Sequence, residues 1–166
     1  MKISINSIEA FVFDFDGVMT NNLVYVDDSG TESVCCNRAD GLAFDVLNKL
    51  NKKSFILSSE TNPVVRKRAD KLKVLAIQGI KNKTIAIKKL ADDNNFDLEK
   101  IFYVGNDLND YNAMKACGFS ACPANSHHKI KRISTFTLKV KGGDGVIRNL
   151  LEDVFNIDFI EILYNS

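Results

Sequence analysis

Two aspartates, Asp14 and Asp16, flank a single phenylalanine at the end of the apolar run Ala10, Phe11, Val12, Phe13. In an extended segment, side chains two apart share a side, so both carboxylates are presented together while Phe15 points away into packing. Like charges side by side are costly unless a cation or a shared proton relieves them, which points to a metal, an acid/base pair, or both. The plainer alternative is that one of them caps the following turn. Three further segments carry apt groups. The run 54–58 ends in the hydroxyls of Ser58 and Ser59, and GNDLND (105–110) follows the run 101–104 with more carboxylates. Lys83 stands at a predicted helix start, where backbone amides also favour an anion. Gathered in one crevice, these groups suit a hard divalent cation and a phosphoryl group.

The elements that must position them alternate as β-α-β-α-β-α-β-α-β. Runs at 10–16, 54–58, 74–77, 101–104 and, more weakly, 119–122 fit buried parallel strands. Between them, a 3.6-residue period marks one face with Ala43, Val46, Leu47 and Leu50 and another with Val146, Ile147, Leu150, Leu151, Val154 and Phe155. Pro63 falls in the first turn of a helix predicted over 62–72. The pattern predicts an α/β fold, a doubly wound, Rossmann-like parallel sheet whose ligands bind beyond the carboxyl ends of its strands. Residues 18–37 break it: strand-forming arms around a DDSG turn at 27–30 predict a β-hairpin inserted straight after strand one. The tail, 156–166, holds Ile157, Phe159, Ile160, Ile162 and Leu163, a density that implies burial on this chain or against a partner.

The chain has 166 residues, 22 Lys+Arg against 21 Asp+Glu, and a net charge of +1. That predicts one domain, 1–166, large enough to fold without a metal or disulfide staple. There is no basic stripe for nucleic acid, and no polybasic segment or long apolar run for a membrane. The opening MKISIN lacks signal-peptide character, so a cytoplasmic location is expected. Cys35, Cys36, Cys117 and Cys122 have no zinc-ligand spacing and read as small apolar residues. His127 and His128, among Lys129, Lys131 and Arg132, read as solvated. A calcium loop starting at Asp14 fails at Val18 and Tyr25, one starting at Asp107 fails at Asn112, and no GxxxxGK[ST] or GxGxxG is present.

The ordered set of a DxDG motif, a strand-end Ser, a Lys and a Gly-Asn-Asp acidic motif resembles the haloacid dehalogenase superfamily of phosphotransferases. The resemblance implies that Asp14 is the nucleophile and Asp16 the general acid/base. It implies that Ser58 and Lys83 hold the phosphate, and that Mg²⁺ is bound by Asp14, the Asp16 main-chain carbonyl and Asp107. Within the superfamily, DFDGVMT (14–20), RADGLAF (38–44), SSETNPVV (58–65), GNDLNDYNAM (105–114) and GGDGVIRNL (142–150) resemble the capless 3-deoxy-manno-octulosonate 8-phosphate phosphatases and related keto-sugar-acid enzymes. Those are homotetramers in which one subunit's hairpin covers its neighbour's site. The likeness implies a phosphomonoesterase acting on a small sugar phosphate in lipopolysaccharide or other cell-surface glycan synthesis, with the 142–145 loop helping to close the pocket.

Two departures matter. Octulosonate phosphatases usually carry Thr-Gly-Arg where this chain has Ser58, Ser59 and Glu60, and Asn106 replaces the first Asp of the fourth motif. The SSETNPVV form is more similar to the branch acting on nine-carbon, sialic-acid-type 9-phosphates, and to noncatalytic oligomerisation domains linked to acylneuraminate cytidylyltransferases, which stand as the alternative reading. In the nine-carbon branch Glu60 would accept hydrogen bonds from sugar hydroxyls. Arg68 and Lys71, on one helix face, are candidates to meet a carboxylate, against the alternative of a solvated face. Only 44 positions separate Asp14 from Ser58 and 25 separate Ser58 from Lys83, too few for a cap domain. A lid over the site is therefore expected from a neighbouring copy.

Overall fold

The tetrapeptide Ala10–Phe13 forms β1 at the middle of a six-stranded sheet, fully buried on both faces. The computed structural model describes residues 3–165. After β1 come a short antiparallel pair, β2 (Tyr25–Val26) and β3 (Glu32–Ser33), then α1 (Ala39–Lys49) and β4 (Lys53–Leu57). Next are α2 (Val64–Leu72), β5 (Leu75–Ile77), α3 (Lys83–Asn94), β6 (Ile101–Val104), α4 (Tyr111–Ala116) and β7 (Phe119–Cys122). The chain ends with α5 (His128–Ile133), β8 (Phe136–Thr137), α6 (Val146–Asn149) and α7 (Phe159–Tyr164). The strand order is β5-β4-β1-β6-β7-β8, every pairing parallel, so all six carboxyl ends lie along one edge.

Alternation along β1 builds the two layers. Phe11 and Phe13 face α1 and the C-terminal segment: Phe13 meets Phe44 edge-on at 5.5 Å between centroids, and Phe11 meets Phe155 at 5.5 Å. Ala10 and Val12 face the other way, onto Ile87 and Leu90 of α3 and Ala113 and Met114 of α4. This is the doubly wound sheet expected from the alternating pattern. The sixth strand, β8, was not expected. It is two residues long and sits among Ser134, Thr135 and Thr137, with no apolar run to announce it.

The hairpin is present but small. It comprises two residue pairs, Tyr25 with Ser33 and Val26 with Glu32, closed at its base by a bridge between Thr20 and Cys36. Among the described residues, a short helical turn at Phe15–Met19, this hairpin and α1 lie between β1 and β4, and no cap intervenes. The tail packs on its own chain: α7 lies against α1 with Phe159 buried, and Lys49 Nζ donates to the Ile162 and Leu163 carbonyls at 3.0 Å each, satisfying the end of α7. Among the described residues no helix is long and apolar enough to cross a membrane.

A buried carboxyl joins the two ends of the chain on one face of the sheet. Asp40, in the first turn of α1, accepts hydrogen bonds at Oδ1 from Ile147 N (2.9 Å) and Arg148 N (3.2 Å), at the start of α6. Its Oδ2 is buried with no partner. Burial pushes the carboxyl from 3.8 up to about 6, against the pull of those two N–H groups and of Arg68. The protonated form is thus the one the fold prefers. Its contribution to stability is complete below the unfolded value and is lost as pH rises towards 6, by roughly 3 kcal/mol for a shift of about two units. Asp40→Asn, which stays neutral, should therefore gain about 3 kcal/mol over wild type between about pH 3.5 and 7.5 in urea unfolding. A difference that does not change with pH would mean that Asp40 titrates alike in both states.

Candidate active site

The carboxyl edge of the sheet carries a cleft of about 440 Å³. Asp14, Asp16, Ser58, Glu60, Asn106 and Asp107 line it, with Asn22, Ser59, Leu108 and Asn109 completing the wall. β1 stops at Phe13, earlier than the predicted 10–16, because the chain turns there. Asp14 and Asp16 nevertheless keep extended backbones (φ −66°, ψ 160° and φ −77°, ψ 128°), so both carboxylates reach the cleft while Phe15 is buried. Gly17 then reverses the chain at φ +77°, a conformation that disfavours any side chain.

The centre of the site is an ion triad. Lys83 begins α3, whose N-terminus is capped by Asn82 Oδ1 accepting from Thr84 N and Ile85 N. Its Nζ is 2.7 Å from Asp14 Oδ1 and 2.7 Å from Asp110 Oδ1, with 1 % of the side chain exposed. Burial by itself would lower the Lys83 pKa, but the two carboxylates more than offset this and hold it above its ordinary value. Asp110 also accepts from Tyr103 Oη (3.0 Å), Asn106 N (2.9 Å) and Asp107 N (3.3 Å). It thus anchors the lysine and shapes the loop after β6. Gly105 makes this possible, since a Cβ there would lie 2.6 Å from Asp110 Cγ. Asp110 and Tyr103 were not singled out from sequence. Asp110 stood in view within GNDLND, but only the fold sets it against a lysine 27 positions away.

Asp14 is pushed well above the usual carboxylate range by burial and by the charge of Asp110, more than Lys83 draws it down. Asp16 is raised as well, by burial and then by Glu60 and Glu32, against a hydrogen bond that Thr20 Oγ1 donates to its Oδ1 (3.3 Å). Thr20 Oγ1 in turn accepts from Gly17 N (3.1 Å) and Asn22 N (3.2 Å), tying the Asp16 turn to the hairpin base. Ser58 is buried, and its Oγ accepts from Glu60 N (3.1 Å), leaving its proton to donate.

The remaining candidates divide. Glu60 lies in the cleft wall, with Oε1 accepting from Thr61 N (2.6 Å) and Asn62 N (2.9 Å). Asp107 is exposed at the rim, and its Oδ1 accepts from Leu108 N at 2.7 Å, capping the short turn that follows. Arg68 and Lys71 do not line the cleft. Arg68 donates from Nη2 to the Asn37 carbonyl (2.8 Å), bracing the segment after the hairpin, and Lys71 is exposed on α2. The 142–145 loop does not line the cleft either. Gly143 N donates to the Val18 carbonyl (3.0 Å), so the loop supports the Asp16 turn from behind.

Among the described residues no three His, Cys, Asp or Glu side chains gather around a common point. The donor set of the cleft still fits a hard divalent cation, because it is made of oxygens. Both contacts to the Asp14 carboxylate, from Phe15 N and Lys83 Nζ, fall on Oδ1, leaving Oδ2 unbonded beside an unmet demand for positive charge. Asp14, the Asp16 carbonyl and an oxygen from the 105–107 loop are the groups that would hold such an ion.

Fold and cleft together define an enzyme-like α/β protein whose oxygen-lined site at the carboxyl edge of a parallel sheet suits a divalent cation. The chain belongs to the haloacid dehalogenase-like hydrolases, whose family profile matches residues 37–150. It is 27% identical over 147 residues to the 3-deoxy-D-manno-octulosonate 8-phosphate phosphatase KdsC of Salmonella typhi, covering 88% of this chain and 78% of that one. A Streptomyces avermitilis structure assigned to the HAD family hydrolases superposes with a TM-score of 0.89 at 36% identity, covering 92% of this chain and 87% of that one. The Moraxella catarrhalis octulosonate 8-phosphate phosphatase, in complex with magnesium, phosphate and KDO, superposes with a TM-score of 0.85 at 25% identity, covering 96% and 89%.

The triad predicts unequal costs for its members. Asp110→Ala leaves a buried ammonium short of one carboxylate and three donors without an acceptor, and should cost about 3–5 kcal/mol in urea unfolding. Tyr103→Phe removes one neutral donor and should cost about 1 kcal/mol. Equal costs would deny Asp110 its central place.

Proposed function

We propose that this phosphatase hydrolyses the phosphate ester of a keto-deoxy sugar acid with Mg²⁺ as its cation, in the making of cell-surface glycans. The substrate is 3-deoxy-manno-octulosonate 8-phosphate or a nine-carbon acid phosphorylated on its terminal carbon. The observation that carries this reading is the buried Asp14–Lys83 pair opening onto a cleft shared with Asp16. A scaffold has no use for such a buried pair behind the wall of an open cleft.

Asp14 attacks phosphorus and the ester bond breaks, giving an aspartyl phosphate and the sugar alcohol. Asp16, whose raised pKa suits a group that must arrive protonated, gives its proton to the departing oxygen. It then takes one from the water that cleaves the aspartyl phosphate. Lys83 Nζ and the free proton of Ser58 Oγ hold the equatorial oxygens as their charge develops. Mg²⁺, when bound, supplies positive charge beside the attacking carboxylate.

The cleft volume is that of a small-ligand site. Its lining is rich in carboxylates, and Lys83, buried behind Asp14 and outside that lining, is already engaged by Asp14 and Asp110. A substrate carboxylate therefore finds no free cation in the described wall. A homotetramer would close the cleft with a neighbouring copy's hairpin, which excludes water but brings no Lys or Arg of its own, since residues 18–37 hold Asp27, Asp28 and Glu32 and no cation. Leu23, Val24, Tyr25 and Val26 there are all more than half exposed, a larger apolar surface than a lone hairpin tip needs.

Asp14→Asn should fold normally and lose phosphate release on the order of 1,000-fold or more, as should wild type in chelator. Turnover surviving the substitution would remove Asp14 as nucleophile. In the same assay, kcat/KM for the eight-carbon 8-phosphate against nine-carbon 9-phosphates identifies the substrate by transition-state discrimination, and a flat profile across unrelated sugar phosphates would refute the assignment. Tyr25→Glu combined with Val26→Glu should elute as a smaller species in gel filtration and lose most of kcat/KM, whereas a fully active monomer would exclude a borrowed lid.

A further inference from the structure

We infer that Asp40, buried and outside the cleft lining, is a positioning residue for Asp16, acting through the glycine loop 142–145. The inference rests on the reading above in which Asp16 handles the proton of the leaving group, and it adds what holds Asp16 in place.

The loop is built for close approach. A Cβ on Gly142 would fall 2.1 Å from the Gly17 carbonyl oxygen, and one on Gly143 2.6 Å from Asn21 N, so only glycines let the two backbones touch. Gly143 N donates to the Val18 carbonyl (3.0 Å) in the same contact. The loop thus lies against residues 17–21, the turn from which Thr20 Oγ1 reaches Asp16 Oδ1. Such a loop has no cap of its own for the helix it leads into. Gly145, at φ +83°, is the N-cap of α6 and offers no side chain to the unpaired N–H groups of the first turn. Asp40 supplies the acceptor from another helix, 107 positions away, through Oδ1 to Ile147 N and Arg148 N. The side chain is 1 % exposed in residue terms, and Oδ2 has no partner, so these two bonds are what its carboxyl contributes. The same corner reaches Thr20 by a second route. Arg68, near enough for its charge to act on Asp40, donates from Nη2 to the Asn37 carbonyl (2.8 Å), and the adjacent Cys36 bridges to Thr20.

Asp14 is held separately, by Phe15 N and Lys83 Nζ on its Oδ1. Without Asp40 the start of α6 loses its acceptor, the glycines lift from residues 17–21, and Asp16 is released while the Asp14–Lys83 pair stays. The defect is therefore selective. Transfer of the Asp16 proton to the departing oxygen suffers, and attack of Asp14 on phosphorus does not. A sugar alkoxide needs that proton to leave, whereas a nitrophenolate leaves without it.

The test is kcat/KM, which covers the steps up to departure of the alcohol, for p-nitrophenyl phosphate and for the better of the eight-carbon and nine-carbon sugar-acid phosphates. Asp40→Ala should lower it at least about 10-fold on the sugar phosphate and less than about threefold on the aryl ester, since positioned proton transfer contributes on the order of 100-fold or more. Asp40→Asn, which keeps an accepting oxygen, should recover most of that loss. Gly143→Ala disturbs the same turn from the loop side, should show the same split, and stands in if Asp40→Ala does not fold. Equal losses on both esters, or no loss on either, overturn the positioning role. If wild type turns over only the sugar phosphate, recovery in Asp40→Asn decides, and its absence overturns the role. Asp16→Asn is the reference. A split there that Asp40→Ala and Gly143→Ala fail to reproduce refutes Asp40 alone, an equal fall on both esters refutes Asp16 as the acid, and wild type inactive on every ester refutes the phosphatase reading itself.

Discussion

The site depends on one ammonium group held out of water between two carboxylates. Taking charges of this kind from solvent costs several kcal/mol per ion, and their attraction repays it only when geometry and further hydrogen bonds are good. Lys83 meets that condition because three separate parts of the chain converge on it: the end of β1 through Asp14, the first turn of α3, and the loop after β6 through Asp110. The sheet is what brings them together. Its parallel order places β1 between β4 and β6, so the segments following all three strands open on the same edge.

The two carboxylates around Lys83 do different things. Asp110 has four donors on its two oxygens and is a structural fixture. Asp14 shares the same ammonium yet keeps one oxygen unbonded at the cleft. A hydrophobic trio of similar volume would serve the core as well or better, which is why the retention of these charges is explained by chemistry at the cleft. The same division between holding and reacting recurs at Thr20, which keeps Asp16 in place without itself lining the cleft.

Much of this was legible from residue order, for a physical reason. A buried parallel strand reads as an unbroken apolar run, so a polar group directly after one stands out, and Asp14, Ser58 and the 105–110 segment were found that way. The hairpin announced itself by turn chemistry. What escaped detection has no local signal. β8 is too short and too polar to form a run, and Asp110 acquires its role only from a partner on another helix. Periodicity put Arg68 and Lys71 on one face of α2 but could not say where that face points. It points to Asn37 and to solvent. The apolar tail was equally mute about its partner until α7 was found on α1.

The position of β1 also governs how the molecule comes to exist. It is the first strand of the sheet to be synthesised, and its register with β6, Ala10 against Ile101, spans 91 positions. Until β6 and the helices of both layers arrive, four apolar residues destined for the centre of the protein have one strand neighbour at most. Such non-local pairing slows folding and leaves sticky surface uncovered in the interval. The active site closes around the same junction, so it is incomplete until residues 101–110 have joined β1 and Lys83.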